Sequence, residues 1–296
     1  MTGKDALRRA IVALRSAGVD DPETEAGILL RHAQRRGRAY MYAHLPEELS
    51  SEEEAAFSDI LRRRLQRRPT PYLTGVREFY GIEFYVAPGV LIPRPETELL
   101  VEESLRQLKR RASAARNPVF VDVGTGSGAI AISVARNWAN ASYFATDISG
   151  AALQIASLNA RRPRLAGRVE LLQGDLLQPI PVQPDVVAAN LPYVPTADWC
   201  GLPLEIRDHE PREALDGGRD GLDLVRRLIA SASGRLREDG ALLLEVGVGQ
   251  ASATLALLAD AFPTWRRYVV MDLAAIERVV VADGGPYGPP STASLR

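Results

Sequence analysis

The sequence has little of what would place it in several large classes of protein. A single cysteine, Cys200, among 296 residues excludes an internal disulfide and a disulfide-stapled secreted fold. With only three scattered histidines, His32, His44 and His209, a zinc site is not expected. No apolar run reaches the ~20 residues that span a bilayer, and no basic-then-apolar N-terminal signal is present. We therefore expect a cytoplasmic protein with no membrane association.

The chain also lacks an excess of charge of either sign. It carries 36 Lys and Arg against 37 Asp and Glu, for a net charge of −1. This balance argues against a strongly basic nucleic-acid binder, so we expect no direct sequence-specific nucleic acid binding. Two arginine clusters, within 31–38 and 62–68, are interpreted as solvated helix faces. Hydrophobic residues make up 46% of the chain, which is ordinary for a globular protein with room for one large and one small domain.

The most informative stretch is 120–130, which reads Phe-Val-Asp-Val-Gly-Thr-Gly-Ser-Gly-Ala-Ile. Its first four residues are the short apolar run of a buried parallel strand, and apolar residues at helical spacing follow its three glycines. A strand, a glycine loop and a helix let the backbone approach a nucleotide-like cofactor at the helix N-terminus. The same residues would also fit a tight turn with no ligand.

A second strand strengthens the cofactor interpretation. Residues 142–147 read Ser-Tyr-Phe-Ala-Thr-Asp, so a carboxylate at Asp147 ends a strand about 20 residues after the glycines. A carboxylate at this distance accepts two hydrogen bonds from a ribose diol. Because both NAD and S-adenosylmethionine carry that ribose, these two features predict a nucleoside cofactor without deciding which one.

From Val119 onward, strands alternate with helices along the chain. This order predicts an α/β fold: an open, mostly parallel twisted sheet with helices on both faces, whose ligands lie beyond the carboxyl ends of the strands. Strands are predicted at 119–123, 142–147, 169–173, 186–190, 241–245, 266–271 and 278–282, and helices at 129–138, 151–160, 222–236 and 250–261.

Residues 1–70 predict a small helical domain with no evident chemistry. Apolar residues at helical spacing define its helices, and Ser51 with Glu54 is assigned as a capping box. Within 71–93, Ile82, Phe84 and Val86 alternate with Glu83 and Tyr85, and with a turn assigned to Pro88-Gly89 this pattern indicates a β-hairpin. The predicted organisation is a helical domain, a hairpin linker, a larger α/β domain and a loose tail, at 1–70, 71–93, 94–285 and 286–296.

Two further stretches carry polar groups near the predicted strand ends. Arg94-Pro95-Glu96-Thr97-Glu98 opens a helix, and it fits either the rim of a pocket or ordinary capping by acidic residues. Asn190-Leu191-Pro192-Tyr193 directly follows a predicted strand at the same edge as the glycine loop. The Asn190 amide oxygen and the main-chain carbonyls around Pro192 can accept both hydrogens of a planar –NH₂ group, with Tyr193 packing on its face. Such a clamp requires a methyl donor rather than a hydride carrier.

These motifs resemble the class I S-adenosylmethionine-dependent methyltransferases that modify planar amino groups. More stretches resemble one family within that class, the release-factor glutamine N(5)-methyltransferases of the HemK/PrmC type. The resemblance covers nearly the whole chain, including the helical front domain. Its stretches are Tyr72-Leu-Thr-Gly, Glu78-Phe-Tyr-Gly, Ile92-Pro-Arg-Pro-Glu-Thr-Glu, His209-Glu-Pro-Arg, Ala214-Leu-Asp-Gly-Gly-Arg-Asp-Gly-Leu, and Leu243-Leu-Glu-Val-Gly with Gln250.

The resemblance implies a role for each matching position. S-adenosyl-L-methionine would be the cofactor, bound by Gly124, Thr125, Gly126, Ser127, Gly128, Asp147, Asp175, Leu176 and Asn190. The substrate amide would be held by Asn190, Leu191, Pro192 and Tyr193, with Asn190, Pro192 and Tyr193 acting in catalysis. The methyl acceptor would be the glutamine of the Gly-Gly-Gln motif in bacterial class I peptide-chain release factors, and residues 1–70 would dock the rest of that protein. We expect a monomer and assign 94–285 as the methyltransferase domain.

Two positions depart from the family pattern, and three other functions stay open at this stage. Leu191 replaces the usual proline, giving a motif form that rRNA adenine dimethyltransferases also carry, and Ala275 replaces a glycine in a predicted turn. An N(6)-adenine methyltransferase of DNA or RNA would share the clamp but needs a basic groove for a flipped base. An NAD-dependent oxidoreductase and a non-catalytic cofactor-binding module are the remaining alternatives.

Overall fold

The computed structural model describes residues 1–113, 116–162 and 165–286. Beyond Pro286, the predicted tail lies outside the described residues. The helices are α1 Gly3–Ser16, α2 Pro22–Ala33, α3 Arg38–Ala43, α4 Ser51–Leu65, α5 Thr70–Thr74, α6 Glu98–Arg111, α7 Ala129–Asn137, α8 Gly150–Arg161, α9 Leu204–Arg207, α10 Asp223–Ser233 and α11 Ala251–Ala261. The strands are β1 Val76–Phe79, β2 Ile82–Tyr85, β3 Val119–Val123, β4 Ser142–Asp147, β5 Val169–Gln173, β6 Val186–Ala189, β7 Ala241–Glu245, β8 Arg266–Met271 and β9 Glu277–Asp283.

The chain divides into two compact units. The helical unit contains Met1–Val76, Val86–Pro88 and Leu202–Glu210, and the sheet unit contains Arg77–Tyr85, Gly89–Gly201 and Pro211 onward. Neither unit is continuous in sequence. Within the described residues, no helix is both long and apolar enough to cross a bilayer.

The helical unit is built from α1 to α5 around a core that includes Leu14, Leu29 and Phe57. Its predicted helices are present, but the capping box lies one residue earlier than the sequence suggested. The Ser50 side chain accepts from the Glu53 amide, and the Glu53 carboxylate accepts from the Ser50 amide. The assignment to Ser51 and Glu54 was wrong because Ser51 is already helical, whereas Ser50 has the extended backbone of a capping residue.

A short segment from much later in the chain completes the helical unit. Residues 202–210, which include α9, belong to it by their contacts. Glu205 accepts hydrogen bonds from Arg64 at 3.1 Å and from Arg67 at 2.8 Å, and Arg64 also donates to Glu25 at 2.8 Å. The Arg64 side chain is only 7% exposed, so these carboxylates compensate a buried charge. No local motif predicts this long-range pairing.

The sheet unit has the predicted α/β architecture. Its strand order is β5-β4-β3-β6-β7-β9-β8. Strand β9 pairs antiparallel with both β7 and β8, and the other neighbouring strands pair parallel. Neighbouring side chains of β3 face opposite cores: Phe120 packs with α6 and α7, and Val121 packs with α10 and α11. The helices therefore cover both faces, as predicted for a buried parallel sheet. Ala275, at φ 59°, lies in the turn between β8 and β9.

The β-hairpin is present, but its turn is not at Pro88-Gly89. β1 and β2 pair across Tyr80-Gly81, whose φ angles of 51° and 67° are those of a type I′ hairpin turn, and Pro88-Gly89 forms a separate turn after β2. Phe79 and Phe84 are fully buried in the same core cluster as Phe120. Residues 77–85 are therefore part of the core of the sheet unit.

Candidate functional site

A cavity of about 440 Å³ opens at the carboxyl ends of β3, β4 and β6. This is where parallel strands of a doubly wound sheet place their ligands, and the volume suits a cofactor-sized molecule. The lining residues come wholly from the sheet unit. Those that the sequence had already indicated are Gly124, Gly126, Asp147, Asp175, Leu176, Asn190, Leu191 and Pro192.

The glycine loop, residues 124–128, forms one wall of the cavity. Gly124 and Gly126 line it, whereas Thr125, Ser127 and Gly128 do not. Thr125 and Ser127 are buried beneath the loop, and Gly128 has φ 83°. A Cβ on Gly128 would lie 2.7 Å from Ile132 Cδ1 and 3.1 Å from Ala156 Cβ, so this glycine allows the loop to pack closely on α7 and α8.

Asp122 lies below the glycine loop and holds the main chain of that loop in place. The Oδ2 atom accepts from Thr125 Oγ1 at 2.6 Å and from the Ala131 amide at 3.1 Å. Within the described residues, Oδ1 has no hydrogen-bond partner. Complete burial raises the pKa of Asp122 to about 7, and the hydrogen bonds from Thr125 and Ala131 oppose that shift. Asp122 is thus a structural support for the loop and has no exposed atom with which to bind a cofactor.

Asp147 lies on the cavity wall and is fixed by two main-chain amides. Its Oδ2 accepts from Gly126 at 2.8 Å, and its Oδ1 accepts from Ser149 at 2.9 Å. Each carboxylate oxygen can accept a second hydrogen bond, so the side chain can still bind a diol in the cavity. Ile148, which is 72% exposed, adds an apolar wall beside it. The carboxylate therefore links the cavity to the conformation of the glycine loop.

The far end of the cavity carries a second acidic side chain. Asp175 and Leu176 line this end, and Asp175 accepts a hydrogen bond from Arg227 of α10. Leu176 has φ 49°, and its carbonyl accepts from Thr146 Oγ1 at 2.8 Å. These contacts fix the segment after β5 against β4, which gives the cavity an end wall with both apolar and hydrogen-bonding groups.

The acceptor loop, residues 190–193, separates the cavity from a smaller side pocket. Asn190 lines both spaces, and Tyr193 lines only the side pocket, which has a volume of about 20 Å³. Asn190 Nδ2 donates to Thr97 Oγ1 at 3.1 Å, so its amide oxygen is the group left for another donor. Burial, with the nearby Glu245 carboxylate, raises the pKa of Tyr193 to about 12, which keeps its hydroxyl protonated. The other residues of the side pocket are Leu91, Arg94, Val194, Ala214 and Leu215.

The acceptor loop is supported from behind by the segment that carries the Leu-Asp-Gly-Gly motif. Gly217 donates its amide to the Val194 carbonyl at 2.9 Å, and Gln250 Nε2 donates to the Tyr193 carbonyl at 2.9 Å. Gly221 has φ 78°, and a Cβ there would lie 2.1 Å from the Tyr193 carbonyl oxygen. The motif therefore serves to hold the main chain of the acceptor loop, a function that its sequence did not reveal.

Several cavity residues were missed by the sequence analysis. Ile148 could have been recognised as an apolar residue directly after the strand-ending Asp147, but Leu224 and Arg227 lie on α10 with no motif around them. Thr97 lay in a stretch that fitted a pocket rim as well as a helix cap, and its bond to Asn190 favours the pocket. The remaining missed lining residues are Gly89, Val90, Leu91, Val123, Thr146, Ser149, Ala152, Gly174, Pro211, Glu213 and Ala214.

Comparisons with known proteins agree with this architecture. Residues 5–75 match the family described as PrmC N-terminal domain, and residues 120–209 match the family described as methyltransferase domain. A release factor glutamine methyltransferase of Moorella thermoacetica is 43% identical over 95% of this chain and 98% of its own length. A protein of the same name from Bacillus anthracis is 36% identical over 94% of this chain and 98% of its own length.

The fold also recurs among solved structures. The T. thermophilus 16S rRNA N2 G1207 methyltransferase, solved in complex with AdoMet and guanosine, has a TM-score of 0.51. It is 19% identical, and the match covers 70% of this chain and 49% of that chain. At this identity the likeness bears on the fold alone.

Proposed function

The chain belongs to the family of release factor glutamine methyltransferases, and on that premise we propose its substrate and the roles of its site residues. It transfers a methyl group from S-adenosyl-L-methionine to the side-chain amide nitrogen of the glutamine in the Gly-Gly-Gln motif of bacterial class I peptide-chain release factors. The amide nitrogen gains the methyl group and loses one proton to solvent. The observation that carries the proposal is Asn190, which lies where the large cavity meets the side pocket.

The residues of the large cavity fit S-adenosylmethionine. Of the residues that line the cavity, Asp147 would bind the ribose hydroxyls, the backbone at Gly124 and Gly126 would permit close approach of the methionine portion, and Asp175 with Leu176 would border the adenine. When bound, this cofactor supplies an electrophilic methyl group on a cationic sulfonium. Thr125, Ser127 and Gly128 support the loop from beneath and contribute to cofactor binding through its shape.

The acceptor loop orients a nucleophile that is intrinsically weak. An amide nitrogen is a poor nucleophile because its lone pair is delocalised, so orientation and electrostatic stabilisation must lower the barrier. The Asn190 amide oxygen and a main-chain carbonyl near Pro192 accept the two N–H groups. They stabilise the positive charge that develops on nitrogen, so no general base is required before transfer. Tyr193, neutral at physiological pH, packs against the flat amide.

The charge balance of the chain favours a glutamine over an adenine. A flipped adenine would need a basic groove for its strand, whereas the chain carries 36 Lys and Arg against 37 Asp and Glu. The family points the same way, because its members are named release factor glutamine methyltransferases.

The remaining parts of the proposal concern the partner. Residues 1–70 dock the body of the release factor, and the enzyme acts in the cytoplasm as a monomer without sequence-specific binding to nucleic acid. The helical unit presents half-exposed aromatic rings beneath arginines: Arg36 lies over Tyr40 and Arg38 over Tyr42, at 5.0 and 5.8 Å from the ring centroids. Such pairs suit a protein surface with acidic and apolar groups.

A methyl-transfer assay tests the proposal. Full-length protein and radiolabelled S-adenosylmethionine are incubated with a release factor, with its Gly-Gly-Gln Gln→Ala variant, with DNA and with rRNA. We expect label only in the unmodified release factor. Equal label in the Gln→Ala variant, or label only in nucleic acid, would overturn the glutamine assignment and support the adenine one.

A further inference from the structure

The Thr97 side chain bonds to polar groups outside its own helix. Thr97 ends a short 3-10 turn, Pro95–Thr97, that leads directly into α6, so its backbone is already helical and its side chain does not cap α6. Thr97 Oγ1 accepts from Asn190 Nδ2 at 3.1 Å, and the Thr97 hydroxyl hydrogen-bonds to the Glu245 carboxyl at the end of β7. Both Thr97 and Glu245 are only 4% exposed.

We infer that Thr97 and Glu245 form a positioning relay that holds the Asn190 amide with its oxygen toward the methyl acceptor. This inference rests on the function proposed above for Asn190, and it assigns no contact with substrate or cofactor to Thr97 or Glu245. They act through Asn190 alone.

The direction of the hydrogen bonds decides the orientation of Asn190. An ionised carboxylate only accepts hydrogen bonds, so the Thr97 hydroxyl donates to Glu245. The Thr97 oxygen is then left as an acceptor, which can pair with Asn190 Nδ2 but not with its carbonyl oxygen. The amide oxygen is therefore directed away from Thr97. If Thr97 lost its bond to Glu245, its hydroxyl could instead donate to the Asn190 oxygen, and the amide would be free to turn over.

The surroundings of Glu245 are those of a functional rather than a stabilising carboxyl. Within the described residues, its Oε2 atom is buried and has no hydrogen-bond partner, which costs folding stability. The charged or titratable groups near it are Glu96, Arg94, Arg278 and Tyr193. Burial raises the pKa of Glu245 to about 7, helped by Glu96 and opposed by the Thr97 bond and the two arginines.

The relay predicts a specific effect of pH on turnover. Above about pH 7, Glu245 is ionised and fixes the direction of the relay. Below that value a protonated carboxyl can donate to Thr97 Oγ1, and the direction can reverse. With cofactor and substrate saturating, kcat should therefore fall as the pH decreases through about 7. Glu245→Gln cannot ionise, so its kcat should be lower and independent of pH between about 6 and 8.

A double-mutant cycle separates positioning from simple packing. Thr97→Val keeps the shape and removes the hydroxyl, and it should lower kcat about tenfold while leaving the Kd for S-adenosylmethionine within about twofold. Thr97→Ser restores the hydroxyl and should recover most of that loss. In the Asn190→Ala background, Thr97→Val should have less than about a twofold effect, because the group it orients is absent. Thr74→Val, which removes a partly buried hydroxyl in the helical unit, is the matched control.

Two results would overturn the relay. One is an equal loss of kcat from Thr97→Val with Asn190 present and absent, and the other is a kcat unaffected by Thr97→Val. A second measurement does not depend on activity. It follows the Asn190 side-chain amide by ¹⁵N NMR, and the signal is assigned by its absence from the spectrum of Asn190→Ala. Its protons should exchange slowly in the native protein and rapidly in Thr97→Val. Equal exchange rates would reject the relay, whereas slow exchange without methyl transfer to release factor would reject the proposed function and leave the relay standing.

Discussion

Replacing Asp147 by alanine should weaken the binding of S-adenosylmethionine and leave most of the fold intact. The carboxylate lies on the cavity wall and can accept two hydrogen bonds from the ribose. Hydrogen bonds to a charged acceptor contribute about 1.5–3 kcal/mol, which corresponds to a rise in Kd of about 10-fold to 150-fold. The measured loss should be near the upper end, because the same carboxylate also holds the Gly126 and Ser149 amides.

Asn at this position should not rescue binding. Each carboxylate oxygen already accepts from a main-chain amide, so the –NH₂ of Asp147→Asn would face an N–H at Gly126 or Ser149. Two donors facing each other leave both without a partner. We expect Asp147→Asn to bind cofactor about as weakly as Asp147→Ala.

The assay is titration calorimetry with S-adenosylmethionine, together with urea unfolding to measure stability. Asp260→Asn, at an exposed position on α11, is a control for the removal of one negative charge. The reasoning would be refuted by an Asp147→Ala protein that unfolds cooperatively and binds S-adenosylmethionine with the native Kd. It would also be refuted if Asp147→Asn bound normally, since the carboxylate would then have no essential contact with the two amides.

Two further substitutions test the acceptor side of the site. Asn190→Ala should lower turnover by about 100-fold or more with cofactor affinity nearly unchanged, because it removes orientation of the acceptor amide while Asp147 and the glycine-loop backbone still hold the cofactor; steady-state kinetics and calorimetry together check this. Gly221→Ala should reduce kcat at least as strongly, since its Cβ would lie 2.1 Å from the Tyr193 carbonyl oxygen. Gly167→Ala shares the φ of 78° but meets no atom within 4 Å, so a similar loss of kcat in both variants would refute the contact.

The sequence predicted the sheet unit well because its signals are local. Short apolar runs such as Val119–Val123, alternating with helical patterns along the chain, favour buried parallel strands, and the motif positions follow directly from the ends of those strands. The predicted cavity residues Asp147 and Asn190 lie where this rule places them. The hairpin was also recognised, but its turn was displaced because Tyr80-Gly81 is a weaker turn signal than Pro88-Gly89.

The site features that could not be predicted from the sequence depend on contacts between distant parts of the chain. The bond from Asn190 to Thr97 joins residues 93 positions apart, and no spacing rule connects a strand end to a helix start on another element. The support of Tyr193 by Gln250 spans 57 positions. Likewise, Thr125 and Ser127 belong to a motif that suggests cofactor contact, but only the folded loop shows that they are turned toward its support.

The discontinuous helical unit has a consequence for the order in which the chain is made. Arg64 leaves the ribosome 141 residues before Glu205, a delay of about 7–30 s at ordinary rates of protein synthesis. During that interval the nascent helices have Glu25 as a carboxylate partner for Arg64 but lack the one that also binds Arg67. The first segment to be synthesised is therefore among the last to be completed, since strands β3 to β6 are all made before Glu205.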